Sequence, residues 1–276
     1  MTDWQLALVG VGISLVLQML VASKWKLDRR LSLTGSILSS VVAAVPFMYF
    51  YQAVQAGLLS ALGVAGQVGL AGILSATMTA IAFYRDPERV PPSGDNLVVA
   101  AADGVVTFVK TVDDQSAPLV RKSGRDYTLA ELVGTDVVKE PVHVIAIEMN
   151  LFDVHVNRCP LGGRVKSITS IVGGYLSLGR DEAPFTNARV ATLIENHALW
   201  TVVVQIASRL VRRVDCFLRV DEDVAAGQRL GVIRFGSLVV VILPRLEHLR
   251  IEVTPGERVW AGATVMARYD LTADAR

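Results

Sequence analysis

The residue in this sequence with the clearest chemical potential is a serine that follows a glycine. Gly236-Ser237 stands between the short apolar run Val232-Ile233 and the strongly β-forming run 238–243. Such a pair alone is most often only a turn before a strand. A serine hydroxyl becomes a useful nucleophile when a neighbouring base removes its proton, and a preceding glycine leaves the adjacent carbonyl uncrowded. Because the Gly-x-Ser-x-Gly elbow is missing around Ser237, a conventional serine hydrolase is disfavoured.

Few other residues in the sequence stand out as a catalytic base, an orienting carboxylate or a functional thiol. Of the four histidines, His155 falls in the segment Leu151–Pro160, and Asp103 begins an Asp-Gly pair that ordinarily forms a turn. The two cysteines, Cys159 and Cys216, have neither a disulfide framework nor metal-ligand spacing. They are therefore expected to be structural thiols, and no metal site is expected.

Five short motifs occur in a fixed order along the chain. They are Phe83–Arg89 (FYRDPER), Ala101–Val106 (AADGVV), Leu151–Pro160 (LFDVHVNRCP) followed by Gly163 and Val165, Gln205–Ala207 (QIA) followed by Arg212-Arg213, and Phe235-Gly236-Ser237 before a run that ends in Leu243-Pro244. In this order and at these distances they resemble the phosphatidylserine decarboxylase family, in particular its short bacterial and archaeal type. The resemblance covers well over half of the chain.

The resemblance implies a proenzyme that cuts itself between Gly236 and Ser237. The Ser237 hydroxyl would attack the carbonyl of Gly236, with His155 as its base and Asp103 as the carboxylate that orients the base. Elimination of the resulting ester would leave a pyruvoyl group at the start of the small chain. His155 is also the expected donor of the proton that replaces carbon dioxide on the substrate.

The pyruvoyl group derived from Ser237 is the cofactor that the resemblance implies, in place of pyridoxal phosphate and without a metal. Its carbonyl would accept electrons as phosphatidylserine loses carbon dioxide to give phosphatidylethanolamine. Arg158, Arg212 and Arg213 are candidate contacts to the lipid, although the double arginine would also suit an anionic lipid surface. The expected partners are the phospholipid and the cleaved large and small chains, which form a heterodimer. A homo-oligomer is a further option.

The sequence departs from the family pattern without losing the nucleophile, the base or the orienting carboxylate. Short-type members usually carry Arg and Asp shortly after the cleavage serine, where this chain has Leu238 and Val240. The family's Asn-Glu-Arg reads Asn187-Ala188-Arg189 here. These departures bear on cleavage rate, subunit packing and headgroup, so a decarboxylase of another seryl lipid stays open as an alternative.

Strands must position these residues, because the chain from Arg85 onward consists mainly of short β-branched runs. The clearest lie at 97–99, 105–109, 142–147, 200–204 and 239–243, bounded by Gly, Pro, Asn or Asp. Helices are expected at Asp126–Val133 and Ile206–Arg212. The predicted fold class is mainly β: a sandwich-like or barrel-like catalytic domain over 85–276, behind an N-terminal helical membrane anchor.

A faint internal repeat refines that prediction. Residues 224–230 (VAAGQRL) and 259–265 (VWAGATV) share an apolar residue, a glycine three later and an apolar residue three beyond. A glycine there permits a positive φ between two strands, as in lipoyl-like hairpins. A biotin or lipoate carrier needs a lysine at the hairpin tip, but the last lysine of the chain is Lys166. A lysine-linked carrier is therefore excluded.

The first 84 residues are expected to form the membrane anchor. No Asp, Glu, Lys or Arg lies between Arg30 and Arg85, whereas a globular helix needs a polar face and a span needs about 20 apolar residues. Three spans are predicted, at about 4–23, 33–51 and 57–84. The alternative is a pair of spans, with residues 31–84 forming a re-entrant hairpin. Basic residues in the loop 24–30 predict that the catalytic domain faces the cytoplasm at the cell (inner) membrane.

Composition limits the remaining function classes. A net charge of +1 over 276 residues gives no indication of nucleic-acid binding. A non-catalytic, membrane-anchored β module is the main alternative to an enzyme, and it would remain one chain of 29.8 kDa. A pyruvoyl enzyme for a soluble amino acid is less favoured, because such a substrate gains nothing from membrane placement.

Overall fold

The protein divides into two compact units. The computed structural model describes residues 2–24, 29–53, 58–94, 96–113, 118–122, 125–135, 141–208, 213–233 and 237–270. One unit comprises Met1–Arg85 with Asn150–Phe152, and the other comprises Asp86–Met149 with Asp153–Arg276.

Three long helices make up most of the first unit: α1 (Asp3–Lys24), α2 (Arg29–Ala53) and α3 (Leu58–Tyr84). All three are long and apolar enough to cross a membrane, and they cover the three predicted spans. The hydroxyls of Ser14 and Ser40 are 2.7 Å apart, and Gln67 Nε2 donates to the Ala7 carbonyl at 2.9 Å. Such bonds hold apolar helices to one another, since lipid tails offer polar groups no partner.

Short strands dominate the second unit, which confirms the predicted mainly β class. The strands are β1 (Leu97–Val99), β2 (Gly104–Val112), β3 (Pro118–Lys122), β4 (Arg125–Thr128), β5 (Val142–Met149), β6 (Val156–Arg158), β7 (Gly163–Ile171), β8 (Arg189–Glu195), β9 (Trp200–Ile206), β10 (Val214–Cys216), β11 (Asp223–Val224), β12 (Arg229–Ile233), β13 (Ser237–Pro244), β14 (Leu249–Ile251), β15 (Arg258–Val259) and β16 (Val265–Tyr269). Two short helices, α4 (Leu129–Val133) and α5 (Ala183–Thr186), lie between them.

An eight-stranded antiparallel sheet forms the body of this unit and curls into a half-barrel. Its order is β11-β7-β8-β9-β13-β5-β2-β15, so β13 lies centrally between β9 and β5. Two three-stranded sheets, β10-β12-β6 and β1-β16-β14, and the pair β3-β4 complete the strands.

Both faces of the central strand are buried, which explains its uninterrupted apolar sequence. Val239 and Val241 belong to one core layer, together with Ile147 of β5. Val240 and Ile242 belong to a second layer on the opposite face. The central strand is therefore enclosed by packing on both sides as well as by two neighbouring strands.

The repeated glycines lie at two equivalent corners of the fold. Gly227 has a φ of 77° and Gly262 a φ of 71°, which confirms the predicted positive φ. Each corner leads from an edge strand of the large sheet, β11 or β15, into a three-stranded sheet through β12 or β16. The two strands that flank each glycine thus do not pair with each other as in a hairpin. Each repeat instead connects the large sheet to a three-stranded sheet.

The two helices expected in the β-rich part are only partly present. Residues 126–128 belong to β4, because Thr128 caps α4: its Oγ1 accepts from Glu131 N at 3.3 Å, and Glu131 Oε2 accepts from Thr128 N at 3.1 Å. The expectation of a helix over Asp126–Val133 was therefore wrong for its first half. Ile206 ends β9, and residues 209–212 lie outside the described part of the chain.

Candidate active site

Ser237 is the first residue of the central strand. Its Cα partner is Met149 of β5, and the next residue, Leu238, pairs with Ile206 of β9. Gly236 and the side chain of Ser237 lie outside what the structure describes. The residue after the predicted cleavage bond thus lies at the N-terminal end of β13, where backbone pairing with β5 holds it.

His155 is buried just before β6, with only 1% of its surface exposed. Its Nδ1 lies 2.8 Å from the carbonyl oxygen of Asp153. A carbonyl can only accept, so Nδ1 carries a proton, and in the neutral imidazole Nε2 is the basic nitrogen. The His155 carbonyl accepts from Ile233 N at 3.3 Å. Because Ile233 precedes Ser237 by four residues, about 14 Å of extended chain at most, His155 lies near the predicted cleavage bond.

Asp103 is buried and accepts four hydrogen bonds. Both carboxylate oxygens accept from Arg89, while Ala261 N donates at 2.8 Å and Val154 N at 3.4 Å. Donation to Asp103 raises the pKa of Arg89. The carboxylate therefore bonds to the residue before His155, whereas His155 Nδ1 bonds to a backbone carbonyl. The backbone N–H of Val154 is thus one connection between Asp103 and His155.

A second ion pair, between a buried carboxylate and a partly exposed arginine, fixes the same loop. The carboxylate of Asp153 is 1% exposed and accepts from Arg258 Nη2. Asp153 also supplies the carbonyl that bonds to His155. The loop that carries His155 is thus held by two carboxylate–guanidinium pairs, one through Val154 and one through Asp153.

Two buried amides that sequence reasoning did not single out lie beside this site. Asn157 and Gln205 are both fully buried, and Gln205 Nε2 donates to Asn157 Oδ1 at 2.8 Å. Asn157 Nδ2 lies 3.7 Å from the sulfur of Met149, the residue that pairs with Ser237. Both amides belong to motifs quoted above, which was the signal available in the sequence.

The sequence motifs contain three candidate arginines, and the two that the structure describes, Arg158 and Arg213, make contacts elsewhere in the fold. The guanidinium of Arg158 is buried and donates to the carbonyls of Gly227 and Pro87, both at 2.9 Å, and to Asp86 at 3.2 Å. Arg213 is largely exposed and pairs with Asp215. Arg212 lies outside the described residues. The contacts of Arg158 favour a role in holding the 86–87 segment.

A cavity of about 530 Å³ lies along Arg158, but it is not the site built around His155. Its charged lining includes Glu88, Glu222 and Arg229, and Arg229 is already paired with Glu88 at 2.6 Å. Of the described residues, neither His155 nor Gln205 lines this cavity. Its charges are used in ion pairs within the fold.

Comparison with known proteins shows which family the chain belongs to. A profile of the phosphatidylserine decarboxylase family matches residues 77–267. A Methanocaldococcus jannaschii protein described as an archaetidylserine decarboxylase proenzyme is 34% identical over 195 residues, which are 71% of this chain and 92% of that protein. The chain belongs to the phosphatidylserine decarboxylase family. The family match begins within α3, so α1 and α2 lie outside it.

Packing explains two of the places where this family member departs from the pattern, and nothing in the structure explains the third, Ala188. Leu238 and Val240 are buried, 8% and 1% exposed, in the second core layer. Asn187 bonds to both backbone groups of Leu176, and Arg189 donates to the Leu132 carbonyl. The apolar residues fit an apolar layer, and the Asn-Ala-Arg segment fastens neighbouring loops.

Proposed function

We propose that this protein is a membrane-anchored proenzyme that cleaves itself between Gly236 and Ser237 and then decarboxylates phosphatidylserine to phosphatidylethanolamine. The observation that supports this best is that His155 and the following strand, β6, both contact segments next to the cleavage position. His155 bonds to Ile233 on one side, and Asn157 contacts Met149, the partner of Ser237, on the other.

In this proposal the described residues prepare one proton transfer. With Nδ1 protonated toward Asp153, Nε2 of His155 is the atom that takes the proton of the Ser237 hydroxyl. Asp103 and Arg89 hold the backbone at Val154, so the imidazole keeps its position during attack. The imidazole of His155 is itself buried, which limits the access of water to it.

The residues near Ser237 fit the pyruvoyl group that the family implies. Asn157 and Gln205 supply buried polar atoms, and Asn157 Nδ2, which contacts the strand partner of Ser237, is a donor of the kind that a pyruvoyl carbonyl accepts from. When formed, that group supplies a carbonyl that takes up electrons as carbon dioxide leaves. His155 would return the proton to the substrate, and the large and small chains would remain a heterodimer.

The membrane anchor supports a lipid substrate. Three apolar helices would bring the enzyme to a bilayer, and the basic residues of the first loop favour a cytoplasmic position for the β unit. The relative's described substrate differs from phosphatidylserine in the lipid but keeps the seryl headgroup. Decarboxylation of such another seryl lipid is therefore the second candidate.

Intact mass spectrometry of the purified protein tests the proposal. Wild type should give two chains, the smaller without a free amino terminus, whereas Ser237→Ala should give one chain of 29.8 kDa. Ser36→Ala is the matched control, because it removes the serine of another Gly-Ser pair and should leave cleavage unchanged.

Activity is measured in parallel as conversion of phosphatidylserine, or an ether-linked seryl lipid, to the ethanolamine lipid in mixed micelles. Only the cleaved wild type should convert either lipid, and the preferred lipid identifies the substrate. A wild-type chain that stays whole and inactive would instead support the non-catalytic β module.

A further inference from the structure

The amide of Gln205 is an unusual feature of the buried core. Gln205 lies in β9 and is fully buried. A Cβ added at Gly231 of β12 would lie 3.1 Å from both its Nε2 and its Oε1. The absence of a side chain at position 231 therefore makes room for this amide between the large sheet and the β10-β12-β6 sheet.

One end of this amide is satisfied and the other is not. Nε2 donates to Asn157 Oδ1 at 2.8 Å, whereas Oε1 is buried without a hydrogen-bond partner among the described residues. Native proteins rarely leave a buried acceptor unpaired without a functional reason, because the group loses its bonds to water and gains none in return. The unpaired oxygen points to a ligand that brings its own donor.

The position of Gln205 relates it to the cleavage position. Its Cα partner in β13 is Val239, two residues after Ser237. Residues two apart on a strand share a face of the sheet. Through Asn157, the amide also connects to Met149, which pairs with Ser237 itself. The unpaired oxygen thus lies one strand away from the reaction centre.

The chemistry of a seryl headgroup determines which group can bind there. Its carboxylate and phosphodiester oxygens can only accept hydrogen bonds, whereas its amino group donates. We propose that Gln205 is a substrate-binding residue whose Oε1 accepts a hydrogen bond from the amino group of the seryl lipid. This inference rests on the proposed function.

A neutral amide suits this task better than a carboxylate would. The amino group must lose its proton before it can attack a carbonyl, and a neighbouring negative charge would favour the protonated ammonium. Glutamine can therefore position the amine without keeping it charged. The Asn157 contact holds Nε2, so Oε1 remains the end that is presented to the substrate.

Two variants and one matched control test this role. Gln205→Met keeps the length but removes the acceptor, while Gln205→Glu keeps an acceptor and adds charge. Both variants also lose the donor to Asn157 Oδ1, so the comparison between them isolates the acceptor. Thr201→Val is the control, because Thr201 is fully buried in the same strand and its hydroxyl donates to the Ile242 carbonyl at 3.1 Å. Self-cleavage, kcat and KM for phosphatidylserine are measured for each variant.

Capture of an amine without decarboxylation gives a readout that is separate from activity. Phosphatidylethanolamine in mixed micelles is incubated with cleaved protein and cyanoborohydride, and the mass gain of the small chain is recorded. Gln205→Met should mature fully, raise KM about tenfold or more and lower capture at a limiting lipid concentration by a similar factor, because a hydrogen bond from the amine is lost. Gln205→Glu should capture amine, with its activity optimum moved to higher pH. Thr201→Val should match wild type in KM and capture.

Unchanged KM and unchanged capture in Gln205→Met would overturn the inference while the proposed function stood. Loss of self-cleavage in that variant would also overturn it, since the amide would then serve the proenzyme. If wild type itself neither cleaves nor converts the lipid, the proposed function fails and this inference fails with it.

Discussion

Arg89 donates hydrogen bonds to both carboxylate oxygens of Asp103, and Asp103 in turn accepts from the backbone N–H of Val154, immediately before His155. The same pair also brackets Ala261, whose carbonyl accepts from Arg89 and whose N–H donates to Asp103, both at 2.8 Å. Three distant parts of the sequence therefore meet at one buried ion pair. The position of the candidate base depends on this junction.

Breaking that pair should affect both stability and maturation. Asp103→Ala leaves the guanidinium of Arg89, whose side chain is 13% exposed, without its carboxylate. Loss of one partner of a buried pair costs about 3–5 kcal/mol. Urea unfolding in the Ser237→Ala background measures this loss without interference from cleavage, and pulse-chase labelling of the Asp103→Ala chain should show slower self-cleavage.

Asp223→Ala is the control for that experiment, because Asp223 forms a similar two-bond pair with Arg164 at the exposed surface. It should leave stability and maturation close to wild type. Equal effects of the two substitutions would contradict a special role for the Asp103 pair.

Arg158→Met should destabilise the protein more than it weakens lipid binding. The substitution leaves the carbonyls of Gly227 and Pro87 without this buried donor, at about 1–3 kcal/mol for each group that stays dry. The carboxylate of Asp86 loses one bond but keeps its pair with Arg229. Thermal unfolding and the KM for phosphatidylserine separate the two effects. Arg213→Met, at an exposed position, is the comparison. A large rise in KM with unaltered stability would return Arg158 to the substrate site.

The two cysteines should differ sharply in reactivity. Burial raises the pKa of Cys159 to about 12, so its thiol stays protonated at about pH 8, and Cys159 is fully buried whereas Cys216 is partly accessible. A disulfide reagent such as DTNB at that pH should label Cys216 in the folded protein and Cys159 only after unfolding. Cys216→Ser should then be nearly unlabelled in the native state. Rapid labelling of that variant would show that the Cys159 environment is open.

Acidification should weaken the fold partly through His143. Burial, with a smaller effect of Arg245, lowers the pKa of His143 below its ordinary value of 6.5. The unfolded chain then takes up this proton first as the pH falls, so the stabilisation present above the unfolded pKa is lost progressively below it. Urea unfolding at about pH 7 and about pH 5 should therefore show a smaller decrease for His143→Gln than for wild type. Identical decreases would mean that His143 titrates alike in both states.

Much of the fold could be predicted because its signals are local. The absence of charge over residues 31–84 predicts α2 and α3, and the uncharged apolar run at 4–23 predicts α1. The β-branched runs predict strands such as β5, β9 and β13. The start of α4 was misplaced because Thr128, three residues before Glu131, caps the helix there. The capping box is visible in the sequence, but its first residue, Thr128, also ends the strand β4. The sequence pattern alone therefore does not show where the strand ends and the helix begins.

The sequence motifs predict which residues belong to the candidate site but not how these residues contact one another. Ser237, His155 and Asp103 are recognised one by one, yet the bond of Asp103 to Arg89 and the amide pair of Asn157 and Gln205 depend on how the strands are brought together. Asn157 and Gln205 are 48 positions apart in the chain. Only the register between sheets, set by the packing of both cores, places them in contact.

The central position of β13 has a consequence for the fragments of a self-cut chain. Its neighbours β9 and β5 both precede residue 236, while β13 begins at Ser237. The last strand, β16, likewise pairs with β1, the first strand of the β unit. Severing one peptide bond would therefore leave two interwoven polypeptides. Drawing them apart would require unzipping the middle of the sheet, so the nicked protein should survive as one particle until it is denatured.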